Sequence, residues 1–220
     1  MKTHYYFSWF NNFFPEKLVK WLHEDLTDRK SLVMISASGN KEDQGNIDNV
    51  YERTWFNQAN IIFDEYHLID YRMQKDDAHR LIQEASVIFL CGGDPVFQKD
   101  FLVEYELSDV IKNSNAVIMG ASAGALNMAA RWLSLIESDH EVEISTVYDG
   151  IGFNHFAYES HSKRNYAKFV EGYLFPLSEN IDVYAAEQES AIRVKNGKIE
   201  TLGPIYLISH SKIQKLAETL

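Results

Sequence analysis

Apolar runs rich in β-branched and aromatic residues alternate along this chain with segments whose apolar positions recur at helical spacing. Strands are predicted at HYYFSW (4–9), SLVMISA (31–37), NIIFDEYHLI (60–69), SVIFLC (86–91) and AVIMG (116–120), since short apolar runs of this composition fit buried strands. Between them, PEKLVKWLHEDL (15–26) opens on a proline, which suits the first turn of a helix, and repeats its apolar residues at helical period. DDAHRLIQEA (76–85) and FQKDFLVEYELSDVIKN (97–113) follow the same rule, and a further helix is expected over 44–58. Strands alternating with helices in this way predict an α/β fold, a mostly parallel sheet covered by helices on both faces. After residue 140 the pattern becomes more β-rich, with VEISTVY, NIDVYAA, SAIRVKNGKIETLG and PIYLIS. There the pair Asn196-Gly197, flanked by alternating residues, predicts a tight hairpin. No internal repeat, linker or low-complexity stretch interrupts the pattern, so a single α/β domain over 1–220 is expected.

Composition narrows the classes of function. A 220-residue chain with 45% hydrophobic and 24% charged residues can bury a full core and does not read as disordered. A formal charge of −11 with no basic stripe argues against a nucleic-acid partner. No apolar run reaches membrane-spanning length, and MKTHYYFSWFNNFF lacks the cleavage pattern of a secretory signal, so a cytoplasmic protein with no membrane partner is expected. Cys91 is the sole cysteine, which excludes an internal disulfide and any thiolate-cluster metal site. No histidines and carboxylates stand at metal-ligand spacing either, and neither metal nor cofactor is expected.

Two stretches carry candidate chemistry. In VIMGASAGALNMAA (117–130) a short strand runs through Gly120, Ser122 and Gly124 into an Ala-rich helix. This is the context of a nucleophile elbow, in which a sharp turn lifts a serine hydroxyl above the carboxyl end of the sheet. The N–H of Ala123 would then face the oxyanion formed when Ser122 attacks a carbonyl. The competing reading is that the small residues only permit close packing and Ser122 caps the helix. In SVIFLCGGDPVFQKDFL (86–102) a second strand ends in glycines before a helix, and the N–H of Gly93 would supply a second oxyanion donor. Asp94 followed by Pro95 is also good helix-start chemistry, and no phosphate-loop pattern accompanies the glycines.

Taken together, CGGDPVFQ and MGASAGALNMA resemble the dipeptidase E and cyanophycinase family of serine peptidases, and the likeness extends to DGIGFNHFAYESHS and AAEQESAIRVKNGK. The resemblance implies a sandwich related to class I glutamine amidotransferases and hydrolysis of short peptides through an acyl-enzyme on Ser122. A serine nucleophile needs an imidazole in hydrogen-bond reach, and His140, His155, His161 and His210 all follow Ser122. The family's HF context falls on His155 and Phe156, so His155 is expected as general base. His161, in YESHSKRNY, reads as an exposed or substrate-facing loop residue, His140 as surface and His210 as a strand end. Aligning AAEQESAIRVKNG with the family pattern puts Gln188, not a glutamate, at the position of the orienting acid, so Glu187 or Gln188 is expected to orient the imidazole. In an extended segment Glu187 and Glu189 would share one face and Gln188 the other. Asp94 and Arg164 are candidate substrate contacts, with an N-terminal aspartate peptide as a candidate substrate. The alternative is a catalytically silent family member that binds a small peptide or amino-acid derivative. An amidotransferase would want Cys at position 122, and Cys91, at the end of a buried strand, reads as packing rather than as a nucleophile.

Overall fold

The computed structural model describes residues 2–38, 42–134, 145–162 and 169–216. Its first sheet has seven strands in the order β11-β10-β1-β5-β4-β2-β3. β1 (Thr3–Phe7), β2 (Ser31–Ala37), β3 (Glu65–Ile69), β4 (Val87–Gly93) and β5 (Val117–Ala121) run parallel to their neighbours. β10 (Ala191–Lys195) and β11 (Lys198–Leu202) add an antiparallel hairpin at the β1 edge. Its turn residues Asn196 and Gly197 take φ values of 55° and 77°, the positive pair that a tight two-residue hairpin demands.

The alternation of side chains along these strands decides what covers each face. Tyr5, Phe7, Leu32, Met34, Phe89 and Met119 point to one side and pack on α1 (Glu16–Asp25) and α2 (Glu42–Gln58) through Leu18, Leu22, Trp55 and Phe56. Tyr6, Val33, Ile35, Ile88, Leu90 and Ile118 point to the other. They meet α3 (Lys75–Glu84), α4 (Pro95–Glu104), α5 (Leu107–Asn113) and α6 (Ala123–Met128). Both faces are buried, which is why these strands read as continuous apolar runs.

A second sheet follows the order β13-β12-β9-β8-β6-β7. It comprises β6 (Arg131–Ser134), β7 (Thr146–Asp149), β8 (Ala157–Glu159), β9 (Val183–Ala186), β12 (Ile205–Ser209) and β13 (Lys212–Lys215). Trp132, Tyr158, Tyr184 and Ile205 on one face share the core that contains Tyr6, Leu90 and Ala125. Its other face carries Leu133, Ala157, Val183 and Ala185 and is covered by Leu174 and Leu177. Those two residues come from a π-helical turn (Val170–Leu174) and from α7 (Phe175–Ser178).

The β-rich C-terminal third forms this second layer. Two expectations are corrected here. Residues 60–64 are not strand: Ile61 donates its N–H back to Phe56 O at 2.9 Å, and the ladder with β2 starts at the Ser31–Glu65 pair. Ile61 and Phe63 are nevertheless buried, so the apolar pattern reports packing rather than a ladder. The helix expected over 97–113 breaks at Glu106, which takes a φ of 54° and pairs with Lys75 at 2.6 Å. Among the described residues no helix is long and apolar enough to cross a membrane.

Candidate active site

β5 ends at Ala121, and the chain reverses at Ser122 into α6. Ser122 adopts φ 48° and ψ −112°, a conformation that costs on the order of 1–3 kcal/mol and persists only where its surroundings enforce it. Enforcement comes from the end of β1, where Phe7 O and Ser8 O both accept the Ser122 N–H at 3.0 and 3.1 Å. On the other side Leu126 N–H donates to Ser122 O at 3.0 Å. Glycines at 120 and 124 make the turn possible. A Cβ on Gly124 would lie 2.0 Å from Leu90 O, and one on Gly120 would lie 2.6 Å from the Gly124 carbonyl carbon. The Ser122 side chain does not cap α6. Its Oγ instead lies 2.8 Å from His161 Nε2, and the residue is partly exposed.

The sequence-based expectation that His155 faces Ser122 is therefore corrected to His161. His4 Nδ1, near the start of β1, and Tyr6 Oη both contact Asn154 Oδ1 at 3.0 and 2.8 Å. Phe156 packs against the Tyr6 and Tyr184 rings at 4.9 and 4.8 Å. With both neighbours turned inward, His155 is left exposed beside the N-terminal end of β1. Ser122 is held at the opposite end, by Phe7 O and Ser8 O. β8 carries the chain along that length, and His161, with φ 55°, arrives at the correct end. There its N–H donates to Ser8 Oγ at 3.0 Å, and the next residue, Ser162, donates to Ala186 O at 3.0 Å.

Ser8 was not singled out in the sequence, yet it ties the site together. It is fully buried; its carbonyl holds Ser122, its hydroxyl holds His161, and its N–H donates to Ser190 O at 3.0 Å. Only its position directly after β1, in a parallel sheet whose sites form at strand carboxyl ends, could have marked it.

Beyond Ala186 the chain leaves the extended conformation, so the face alternation expected for residues 187–189 does not hold. Glu189 takes φ 59°, and its Oε1 accepts from Asn11 N and Nδ2 at 2.9 and 3.1 Å. Gln188 is exposed, and its Oε1 accepts from the same Asn11 amide at 3.2 Å. Glu187 is partly buried, with its N–H on Pro204 O at 3.0 Å. It follows directly on Ala186, whose carbonyl accepts from Ser162 and from Ser8 Oγ.

The glycine pair that ends β4 lies beside this site. Gly93 takes φ 139°, and a Cβ there would press on Ala37 O at 2.9 Å. Asp94 Oδ1 accepts from Val96 and Phe97 N–H at 2.8 and 3.1 Å, so its carboxylate caps α4. Trp9 forms a wall: its ring lies 6.5 Å from the His161 ring and sits against Gly92. His210 is exposed on the second sheet, 3.9 Å from Glu179. Cys91 is buried, as expected of a packed side chain. His140 and Arg164 lie outside the described residues.

Two solved structures share this architecture. One is a peptidase from an acI-B1 Actinobacterium, with a TM-score of 0.71 and 16% identity, covering 99% of this chain and 95% of that one. The other is a Listeria monocytogenes EGD-e protein solved as a candidate Peptidase E, with a TM-score of 0.64 and 17% identity, covering 92% of this chain and 98% of that one. The likeness agrees with the α/β, class I glutamine amidotransferase-like fold expected from the sequence. No curated protein matches the chain. The model of peptidase family S51, the dipeptidase E and cyanophycinase family, matches residues 12–202, and the chain belongs to that family.

Proposed function

We propose that the protein is a serine peptidase that hydrolyses short peptides through an acyl-enzyme on Ser122, with His161 as general base. The observation that carries this reading is the 2.8 Å contact between Ser122 Oγ and His161 Nε2 at a strained, partly exposed turn. As Oγ attacks the scissile carbonyl, its proton passes to His161 Nε2, and the N–H groups of Ala123 and Gly93 receive the oxyanion. Collapse breaks the C–N bond, and His161 returns the proton to the leaving amine. Water then attacks the ester by the same route and regenerates the Ser122 hydroxyl. Glu187 is the carboxylate that orients the imidazole in this reading, because Gln188 and Glu189 are both engaged by Asn11. An acidic substrate side chain would be matched by Arg164.

The test is amine release from a dipeptide panel that includes N-terminal aspartate peptides. Ser122→Ala and His161→Ala should each lower kcat by ~1,000-fold or more, as loss of a triad member does, while His155→Ala stays within about twofold of wild type. Activity retained in His161→Ala would remove that residue from the mechanism. No release from any peptide, with ligand binding preserved in Ser122→Ala, would establish the silent binder.

A further inference from the structure

Gly92 and Gly93 together form the most pliable two residues next to the site, and neither can be stiffened by a side chain. A Cβ on Gly92 would meet the Trp9 ring at 2.6 Å, and Gly93 combines a φ of 139° with the nearby Ala37 carbonyl. Paired glycines lose more conformational freedom on ordering than any other residues, so a fixed N–H direction here has to be imposed from outside. The structure holds such a constraint. Glu52, in α2, is fully buried, and its Oε1 accepts the Gly92 N–H at 2.7 Å across forty residues of sequence. Its helix also fixes the other contact on Gly92, since Tyr51 stacks on Trp9 at 5.7 Å and Trp55 meets it edge-on at 5.0 Å.

We infer that Glu52 is a positioning residue for the glycine pair, one that aims the Gly93 N–H at the carbonyl attacked by Ser122. This rests on the serine peptidase reading above. The Gly93 N–H belongs to the peptide unit between Gly92 and Gly93, and both flanking units are pinned. Glu52 holds the preceding one through Gly92 N–H, and Ala37 O holds the following one by accepting from Asp94 N–H at 3.0 Å. Gly93 pairs with Ala37 in the β2–β4 ladder, but the register shifts between Ile35 and Ala37, so releasing Glu52 leaves the peptide units ahead of Gly93 held from one side only. Burying a carboxyl group in this position is costly unless it is hydrogen-bonded, which is difficult to explain if only packing were required.

Two variants separate acceptor from volume. Glu52→Met fills the space without accepting a hydrogen bond, and Glu52→Gln keeps an acceptor oxygen without the charge. In Glu52→Met, kcat and the rate of Ser122 labelling by a fluorophosphonate should fall at least ~10-fold and up to the ~100- to 1,000-fold of a lost oxyanion donor, with KM within about twofold of wild type. Glu52→Gln should recover most of that loss. Wild-type kcat in a folded Glu52→Met protein overturns the inference, as does an equal fall in both variants with KM rising. Hydrogen exchange at the Gly92 amide of the wild type gives an independent reading if Glu52→Met does not fold: slow exchange is expected, and exchange as fast as an exposed loop amide overturns the inference. A wild type that neither labels nor hydrolyses would instead overturn the serine reading, and Glu52 positioning with it.

Discussion

Ser8 shows how much of the site hangs on a single small side chain. Its hydroxyl accepts the His161 N–H and its carbonyl accepts the Ser122 N–H, so base and nucleophile are referenced to one residue. Ser8→Ala removes the first of these and takes that acceptor from a partly buried N–H, which costs about 1 kcal/mol. The expected outcome is a lower urea midpoint at unchanged slope, and a fall in kcat that exceeds any change in KM. Glu159, two residues before His161 on β8, behaves differently. Desolvation by burial pushes its carboxyl up to about 8, from an ordinary value of 4.5. A group whose folded value is raised stabilises the fold fully at low pH, and that contribution is lost as pH rises from about 4.5 through about 8. Glu159→Gln should therefore unfold at a higher temperature than wild type at pH 9, by roughly 2–4 °C for each kcal/mol recovered, and the gap should close towards pH 5. A gap independent of pH in paired thermal melts would show that Glu159 is not desolvated. The serine was legible because its elbow is written in five adjacent residues. His161 was not, because its role depends on which end of β1 the chain has reached, and an HF dipeptide does not carry that information.

At the level of elements, α1 is locked to the sheet by charge as well as by Leu18 and Leu22. Arg193 of β10 is buried and donates from Nε and Nη2 to Asp25 at 2.8 and 2.6 Å, while Tyr5 Oη and Lys195 Nζ each donate to the same carboxylate at 2.6 Å. Burial opposes ionisation of Asp25, but hydrogen bonds from Arg193, Lys195 and Tyr5 outweigh it and hold the carboxyl below its usual value. Breaking a buried pair by removing one partner is the expensive direction, so Asp25→Ala should destabilise the protein by about 3 kcal/mol in urea unfolding near neutral pH. A lowered folded value stabilises above the unfolded one, so the difference between variant and wild type should shrink as pH falls below about 4. None of this cluster was readable beforehand, because Asp25 sits at a helix end and Arg193 in a strand, joined only by register. The strands themselves were readable, since burial on both faces writes uninterrupted apolar runs. The failures have local causes. Residues 60–64 are apolar because they pack, while their backbone turns back on α2; the break at Glu106 rests on a left-handed residue with no glycine to announce it.

Across the whole molecule, the candidate site is assembled where the two sheets meet. Ser122 follows a strand of the first, His161 follows a strand of the second, and residues 187–190 cross from β9 to β10 between them. A substrate reaching that junction must approach a chain with a net charge of −11. A field of that sign slows the approach of anions over roughly a Debye length, about 10 Å at 0.1 M salt, and added salt screens it. Two peptides with the same scissile bond, one neutral overall and one acidic, separate this long-range term from local recognition. For the acidic peptide kcat/KM should rise about two- to fivefold between about 0.02 and 0.3 M salt, while the neutral peptide changes little. The opposite slope, with kcat/KM for the acidic peptide falling as salt is added, would mean that a cation at the site outweighs the field of the whole chain. Arg164→Ala should then abolish that slope and leave the neutral peptide unaffected.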